Sequence, residues 1–502
     1  MYTVTPDTIK YADSLAVKKY GIPELTLMKY AAKSCYDVII SRIKRSDKIA
    51  ILCGKGNNGG DGYEIARLLK QGRYDVCCIN VFGTNPDTQT ANEVFKDFEK
   101  TGEKIYSLSQ SKQILESADV IIDAVFGVGF HGKIEDNSDY GKLFLLCNSL
   151  NSFKIAIDTP SGINSLDGSV EGVSFKADIT LTMAYIKTGM LSYPAREFCG
   201  EIQIMDIGYP KALNEEIEKD ALIVDKEYVE RIIPKRQSNT HKGSYGRLMM
   251  LCASEFMTGA CVLAATSALR TGVGLVEIIQ TQSTLAKLQN NLVEPVFTPI
   301  YKEDFEKSLD IILEHSKKAS AFLIGCGLSR SQFTDRLVFE IIKNVSCPLI
   351  IDADGINALS LNRNILKEAK ATPILTPHPL EFARLSGIDI HNIQNNRINV
   401  AKSFAKEYDC IVVLKGAGTV IASPDGRLCI NTSGNPGLSK GGSGDVLSGM
   451  IASFTAQGFD LFDACCVGVY LHGLAGDILK EQISEYGYIP SDIPMCVAKL
   501  LP

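Results

Sequence analysis

The sequence predicts two α/β domains in tandem, each built on a largely parallel sheet with helices on both faces. Three observations carry this. Short apolar runs recur along the chain and are continuous rather than alternating, as expected of strands buried on both faces. Amphipathic stretches of helical spacing separate them. Each half also carries its own glycine-rich segment, and at 502 residues the chain is too long for one ordinary core.

In the first half, strands are expected at 48–52, 76–81, 120–125, 154–158, 179–184 and 202–207, with helical patterns such as 63–71 between them. Between Pro210 and Thr240 the alternation pauses and charges crowd together: Glu215, Glu216, Glu218, Lys219 and Asp220, then Lys235 and Arg236. This composition shift predicts a domain over 1–215, a linker over 216–238 and a second domain over 239–502. The second series of strands is expected at 247–253, 275–280, 321–325, 348–352, 374–375 and 411–414. Runs 419–422 and 428–431 flank Asp425-Gly426 and read as a hairpin with a tight turn.

A net charge of −6 argues against a nucleic-acid partner, which needs a basic face to neutralise phosphates. The fifteen cysteines include no C-x-x-C and no zinc spacing with histidine, so they read as small buried hydrophobes of a reducing compartment. The first residues lack a charged stretch followed by an apolar core, and no apolar run reaches roughly 18 residues. A cytoplasmic protein without a membrane partner is the expectation.

Gly434-Asn-Pro-Gly-Leu-Ser-Lys-Gly-Gly-Ser-Gly-Asp445 leads into the apolar pattern Val446, Leu447, Met450, Ile451, Phe454. Glycines let backbone N–H groups approach an anion, and the positive end of the following helix points at it. Asp445 at that entrance reads as a general base on a hydroxyl beside a nucleotide phosphate; a helix cap is the plainer alternative.

In the first half, Gly54-Lys-Gly-Asn-Asn-Gly-Gly-Asp-Gly62 follows a strand; it is read neither as the G-x-G-x-x-G dinucleotide fingerprint nor as a Walker-type loop, since no Gly-Lys-Ser/Thr closes it. Asp123 and Asp158 close two further strands of the same sheet, so their carboxyl ends share one rim. Asn58, Asp123 and Ser161 there offer oxygen ligands suited to an alkali or alkaline-earth ion, with Asp158 facing the ligand. Loop-capping is the alternative for either aspartate alone.

These residues resemble a known family. The first half, through 54–62, 123–129 and 158–162, resembles the NAD(P)H-hydrate epimerase domain, and the second resembles the NAD(P)H-hydrate dehydratase domain. Together they resemble the prokaryotic bifunctional NAD(P)H-hydrate repair family over essentially the whole chain. The resemblance implies a Rossmann-like three-layer αβα domain followed by a ribokinase-like α/β domain. It places substrate contacts on Asn57, Asn58, Gly59, Gly60 and Asp61, on Gly127, Val128, Gly129, Phe130, His131, Gly132 and Lys133, and on Asp158. It adds K+ at Asn58, Asp123 and Ser161, with Asp158 as acid/base for epimer exchange.

In the second half the resemblance makes His241-Lys-Gly-Ser-Tyr-Gly246 an opening motif and Ala260, Gly327 and His378 substrate-lining positions. Lys415, Gly416, Ala417, Gly418 and Thr419 resemble an adenine-nucleotide segment, Gly444 meets a phosphate, and Asp445 is the base. ADP as co-substrate, Mg2+, small-molecule partners (hydrated NADH and NADPH) and a homo-oligomer follow from the same resemblance. Two departures stand out: Leu27-Met-Lys-Tyr-Ala-Ala32, where the family commonly has Leu-Met-Glu-Asn-Ala-Gly, and Lys440 before Gly441.

Other residues leave alternatives open. His378 orients substrate or fills a turn. Asp352 and Asp354 organise a magnesium-bound phosphate or cap a helix, and Lys415 reaches a phosphate or snorkels. The rival reading is a ribokinase-type small-molecule kinase with a non-catalytic nucleotide-binding first domain, which gives no reason for Gly-Asn-Asn-Gly-Gly-Asp.

Overall fold

A computed structural model describes all 502 residues and divides them into two compact units, Tyr2–Ala221 and Leu222–Pro502, the latter joined by Met1. The first holds β1 (Lys48–Cys53), β2 (Asp75–Asn80), β3 (Ile105–Ser107), β4 (Val120–Ala124), β5 (Phe153–Ile157), β6 (Ile179–Met183) and β7 (Glu201–Met205). They form one parallel sheet in the order β3-β2-β1-β4-β5-β6-β7. Ile49, Ile51 and Ile122 feed the core on one face, while Ala50, Leu52 and Ile121 feed the core on the other. This double burial is why the strands read as unbroken apolar runs. The chain moves outward from β1 to β3 and returns at β4, so a switch point opens between β1 and β4, at whose carboxyl ends an α/β sheet binds its ligand.

Two elements here differ from the sequence reading. β3 is a three-residue edge strand, half exposed on both of its first two residues, too short for a periodicity signal. The helix expected over 63–71 begins six residues earlier and spans Asn57–Gln71, so most of the glycine motif is helix rather than loop. The glycines are there for packing: a Cβ at Gly59 would lie 1.9 Å from the Gly54 carbonyl oxygen, and one at Gly62 would lie 2.8 Å from Ala124 Cβ.

The second sheet comprises β8 (Ala221–Leu222), where the units divide, then β9 (Arg247–Leu251), β10 (Leu275–Thr281), β11 (Val296–Ile300), β12 (Ala321–Ile324), β13 (Leu349–Ile351), β14 (Ile374–Leu375), β15 (Ile411–Leu414), β16 (Val420–Ala422) and β17 (Leu428–Ile430). Its order is β11-β10-β9-β12-β13-β14-β15-β16-β17-β8. Strands from β11 to β15 are parallel, and β15, β16 and β17 are antiparallel. The expected hairpin is β16–β17, with Gly426 at φ +94° in its turn. β11 carries Pro299 and lies at the sheet edge, where the missing N–H leaves the ladder intact.

Ser443–Ala456 is a helix apolar nearly all round and buried nearly throughout, as a central core helix should be. It packs so closely on the helix Thr258–Thr271 that a Cβ at Gly449 would lie 2.2 Å from the Ala264 carbonyl oxygen. Leu222, Val224, Tyr228 and Val229 join the same core, and the Tyr228 hydroxyl donates to Asp463 at 2.6 Å. One helix, Leu461–Gln482, is long and apolar enough to cross a bilayer, which the sequence reading did not register; 67% of its apolar window is buried inside the unit, so its hydropathy serves the core.

Candidate active sites

In the first unit a cleft of about 750 Å³ opens at the carboxyl ends of the strands. Asn57, Asn58 and Asp61 line it, as do Gly127, Val128, Gly129, Phe130, His131 and Asp158. Gly132 and Lys133 do not: Lys133 is exposed and pairs with Glu135 at 3.0 Å. Gly59 and Gly60 lie beneath, pressed on Gly54 and on Met28 and Ala91. Gly54, Gly56 and Gly59 also spell G-x-G-x-x-G, with the third glycine in its packing role rather than at the surface of the cleft.

Asp158 follows β5 with φ +66°, a backbone region that non-glycine residues occupy only when their surroundings hold them there. Its Oδ1 accepts from the Lys187 ammonium at 2.5 Å and its Oδ2 from the Val128 N–H at 3.1 Å. Lys187 is fully buried, held also by Thr182 Oγ1 at 2.9 Å and the Met183 carbonyl at 3.2 Å. Sequence reasoning missed Lys187; the signal was a lysine just beyond an apolar strand, at the same rim as Asp158.

Asp123 is fully buried with no basic partner. The Ser161 hydroxyl and the Val125 N–H donate to its Oδ1 at 2.7 and 3.1 Å, and the Ser161 N–H donates to Oδ2 at 2.7 Å. Burial pushes its carboxyl up to about 6, against these hydrogen bonds. Both polar atoms of the buried Asn58 side chain lack a protein partner, and a Cβ at the neighbouring Gly127 would lie 3.2 Å from Asn58 Cβ. By donor type, the orphaned Asn58 amide oxygen, the Asp123 carboxylate without a basic partner and the Ser161 hydroxyl suit a hard monovalent cation.

In the second unit, Asp445 sits in the first turn of the helix Ser443–Ala456, after Gly442 at φ +100°. It is not a cap. One helical turn on, the Ser448 hydroxyl donates to Asp352 Oδ2 at 2.8 Å, and the Lys415 ammonium donates to Asp352 Oδ1 at 2.8 Å. The Cys326 sulfur and one oxygen from each of Asp352 and Asp445 all lie within 4.8 Å of one another. Burial and then the Asp352 charge push Asp445 up to about 6, against the Cys326 thiol and the Lys415 ammonium. For Asp352 burial acts in the same direction, but Lys415 and Ser448 outweigh it and hold its carboxyl below the ordinary range. Asp352 makes no capping bond to the helix Ala353–Leu359; Asp354 accepts from the Ser329 N–H at 2.8 Å instead.

Lys415 therefore does not snorkel. A Cβ at Gly444 would lie 3.2 Å from its Nζ, which sets a cation beside the open backbone of the helix entrance. Gly416 and Gly418 follow at φ +145° and +62°, with Ala417 between them, and the Thr419 hydroxyl closes the turn on the Gly416 carbonyl at 2.9 Å. Ala260 and Gly327 meet: a Cβ at Gly327 would lie 2.8 Å from Ala260 Cβ. His378 caps the helix Pro379–Ser386, its Nδ1 accepting the Glu381 N–H at 3.1 Å, and burial followed by Lys415 pushes its imidazole below the usual range. His472, unassigned in the sequence, is buried against the Ser443 carbonyl at 3.1 Å, and burial pushes it down to about 4; neutral Nε2–H thus donates to the glycine loop from below.

His241–Gly246 does not join this group. It precedes β9, and a Cβ at Gly246 would lie 1.8 Å from the carbonyl of Ala456, the last residue of the helix that Asp445 opens. Those helix ends are roughly 16 Å apart along its axis. Lys440 finds an account here: its ammonium donates to the carbonyls of Glu485, Tyr486 and Tyr488 and so ties the glycine loop to the 485–488 segment.

Residues 248–497 match the NAD(P)H-hydrate dehydratase family model, and residues 24–189 match that of the YjeF-related protein N-terminus. The bifunctional NAD(P)H-hydrate repair enzyme of Thermofilum pendens is 35% identical over 95% of this chain and 92% of its own length. That of Escherichia coli is 30% identical over 97% and 93%. Among solved structures, an ADP/ATP-dependent NAD(P)H-hydrate dehydratase from Bacillus subtilis, co-crystallised with ATP and Mg2+, is 29% identical, with 55% of this chain and 96% of that one covered and a TM-score of 0.48. The chain belongs to the family of bifunctional NAD(P)H-hydrate repair enzymes.

Proposed function

We propose that the first unit interconverts the R and S epimers of hydrated NADH and NADPH, and that the second returns the S epimer to NADH or NADPH using ADP, with release of AMP and phosphate. The observation that supports the second reaction best is Asp445: a carboxyl raised to about 6 at a glycine-rich helix entrance, beside the Lys415–Asp352 pair. Hydroxide is a poor leaving group. Transfer of a phosphoryl group from ADP to the hydrate's hydroxyl, while Asp445 takes the hydroxyl proton, converts it into one that the ring nitrogen's lone pair expels as phosphate, and loss of a proton from the neighbouring ring carbon then restores the ring double bond. The N–H groups at Gly444 and the Lys415 ammonium meet the negative charge that develops. Mg2+ brought with the nucleotide would supply charge neutralisation at the phosphates; of the Cys326, Asp352 and Asp445 group, Asp352 is the hard oxygen donor not needed as the base, and the sulfur of Cys326 does not suit it.

In the first unit Asp158, fixed by Lys187 and Val128, is the acid/base group for epimer exchange. K+ held by Asn58, Asp123 and Ser161 would neutralise the Asp123 carboxylate and order the segment 125–127. Replacing K+ by tetramethylammonium should then slow epimer exchange more than dehydration. Fifteen unpaired cysteines support a reducing, cytoplasmic setting. A homo-oligomer belongs to the same reading, and light scattering would test it.

Incubating the protein with mixed hydrates and each nucleotide, while following recovery of reduced-nicotinamide absorbance, tests the whole reading. Full recovery with ADP is expected, and Asp158→Ala should limit rapid recovery to the S epimer. Recovery no faster than in buffer with any nucleotide would remove the dehydratase assignment.

A further inference from the structure

The cleft of the first unit holds more acid than Asp158 alone. Asp13, Asp61 and Asp158 all line it, and only one buried cation, Lys187, is bonded to any of them. Asp13 comes from the helix Pro6–Lys18, whose Ala12 and Ala16 are fully buried and so anchor that face of the helix. Its Oδ1 accepts the Tyr209 hydroxyl at 2.6 Å. Its Oδ2 has no protein partner and is not sealed away from solvent, so it is available to a molecule in the cleft. The charged and titratable groups around Asp13 are Lys10 and Glu24 at the cleft wall, Asp61, Asp158 and Tyr209 along it, and Lys187, fully buried behind Asp158. Lys10 is engaged by Asp7 at 3.2 Å and Glu24 by the Thr90 hydroxyl at 3.1 Å. Three carboxyls facing one ammonium cannot all ionise at low cost in a partly desolvated cleft, so one of them retains a proton. Burial, followed by the Asp158 charge, raises Asp61 well above its ordinary range and raises Asp13 as well, although the Tyr209 hydrogen bond draws Asp13 down.

Epimer exchange at a hydroxyl-bearing carbon beside a ring nitrogen explains a second carboxyl. An acid protonates the hydroxyl, the C–O bond breaks as the nitrogen lone pair forms the iminium, and water departs. Water then adds to the other face and returns its proton to a carboxylate there, so protons and electrons balance with water as the sole co-reactant. By microscopic reversibility each face needs a group that acts as acid in one direction and as base in the other. One carboxyl serves one face.

We propose that Asp13 is a catalytic residue of epimer exchange, serving the face of the nicotinamide ring that Asp158 does not, with Tyr209 as its positioning residue. This rests on the epimerase reading above, and two variants separate the failures. In the full-length protein, Asp158→Ala tests the reading and Asp13→Asn tests the proposal, with dehydration of the S epimer by the same sample as the control for an intact chain. Asp13→Asn should slow exchange of the purified R epimer at least roughly hundredfold. Tyr209→Phe should slow it only a few-fold and move the pH limb due to Asp13 upward, because the phenol favours the ionised form. If Asp158→Ala stops exchange while Asp13→Asn stays within about threefold of the parent, the proposal is overturned. Should Asp13→Asn fail to fold, Tyr209→Phe decides: an unmoved pH profile overturns it.

Discussion

The two active sites use the same parts with different results. Each joins a carboxylate to a lysine: Asp158 to the fully buried Lys187 at 2.5 Å in the first unit, Asp352 to the partly exposed Lys415 at 2.8 Å in the second. In the first unit the paired carboxylate itself faces the cleft, and its uncompensated neighbours Asp61 and Asp13 are raised around it. In the second, the paired carboxylate is the fully buried one and the unpaired Asp445 the more exposed, pushed up to about 6 partly by the Asp352 charge. A buried ion pair can thus present one of its members to a ligand or act as a fixed charge that tunes a neighbour. Exchange at a single carbon needs acid and base in one cleft, whereas phosphoryl transfer needs one base beside a cation for the phosphate.

That contrast breaks most directly at Asp445. Asp445→Asn preserves shape but removes the base, and should lower dehydration by at least roughly a hundredfold while nucleotide binding is kept. Near-normal turnover would mean that the raised carboxyl is incidental. Lys415→Met comes next. It leaves Asp352 buried without its cation, which should destabilise the second unit by about 3 kcal/mol, read from its own denaturant transition. A loss below about 1 kcal/mol would show that Ser448 suffices to hold Asp352.

How much of this was legible beforehand follows from which signals are local. The strands of both sheets could be read because burial on both faces makes them unbroken apolar runs, and Asp445, Asp123 and Asp158 could be read because glycines or strand ends flag them. The start of the helix at Asn57 was hidden, since Gly59 and Gly60 lower helix propensity and only close approach to Gly54 and Met28 explains them. Lys187 left only a faint signal, a lysine just past an apolar strand, and Asp13 and Tyr209 left none: they meet each other along the cleft that Asp158 lines, and no spacing in the sequence records that meeting. The Lys440 departure became intelligible only once the carbonyls of 485–488 were seen around its ammonium.

The pH dependence sharpens the comparison with a smaller effect. Asp445 must be ionised to act as base, so dehydration should fall about tenfold per pH unit below about 6. The stability sign is opposite. A carboxyl whose folded value is raised stabilises the fold below its unfolded value near 3.8 and loses that contribution as pH rises through about 6. Asp445→Asn should therefore melt higher than the parent at pH 8 and no higher at pH 4. A difference of the reverse sign would place Asp445 in an ion pair rather than in an uncompensated site.

Ser448→Ala gives the smallest effect and separates the two groups that hold Asp352. Ser448 lies three residues after Asp445 on the same helical face, so its hydroxyl reaches Asp352 Oδ2 while Lys415 holds Oδ1. Removing a hydrogen bond to a charged group costs about 1.5 kcal/mol, and dehydration should slow only a few-fold. If Lys415 is the main holder, Asp352 stays ionised, its push on Asp445 persists, and the activity limb stays near 6. If Ser448 is, Asp352 takes up a proton, the push disappears, and the limb moves toward the ordinary carboxylate range. A pH–rate profile of this one variant therefore tells whether the base is tuned by a lysine-fixed charge or by a hydroxyl on its own helix.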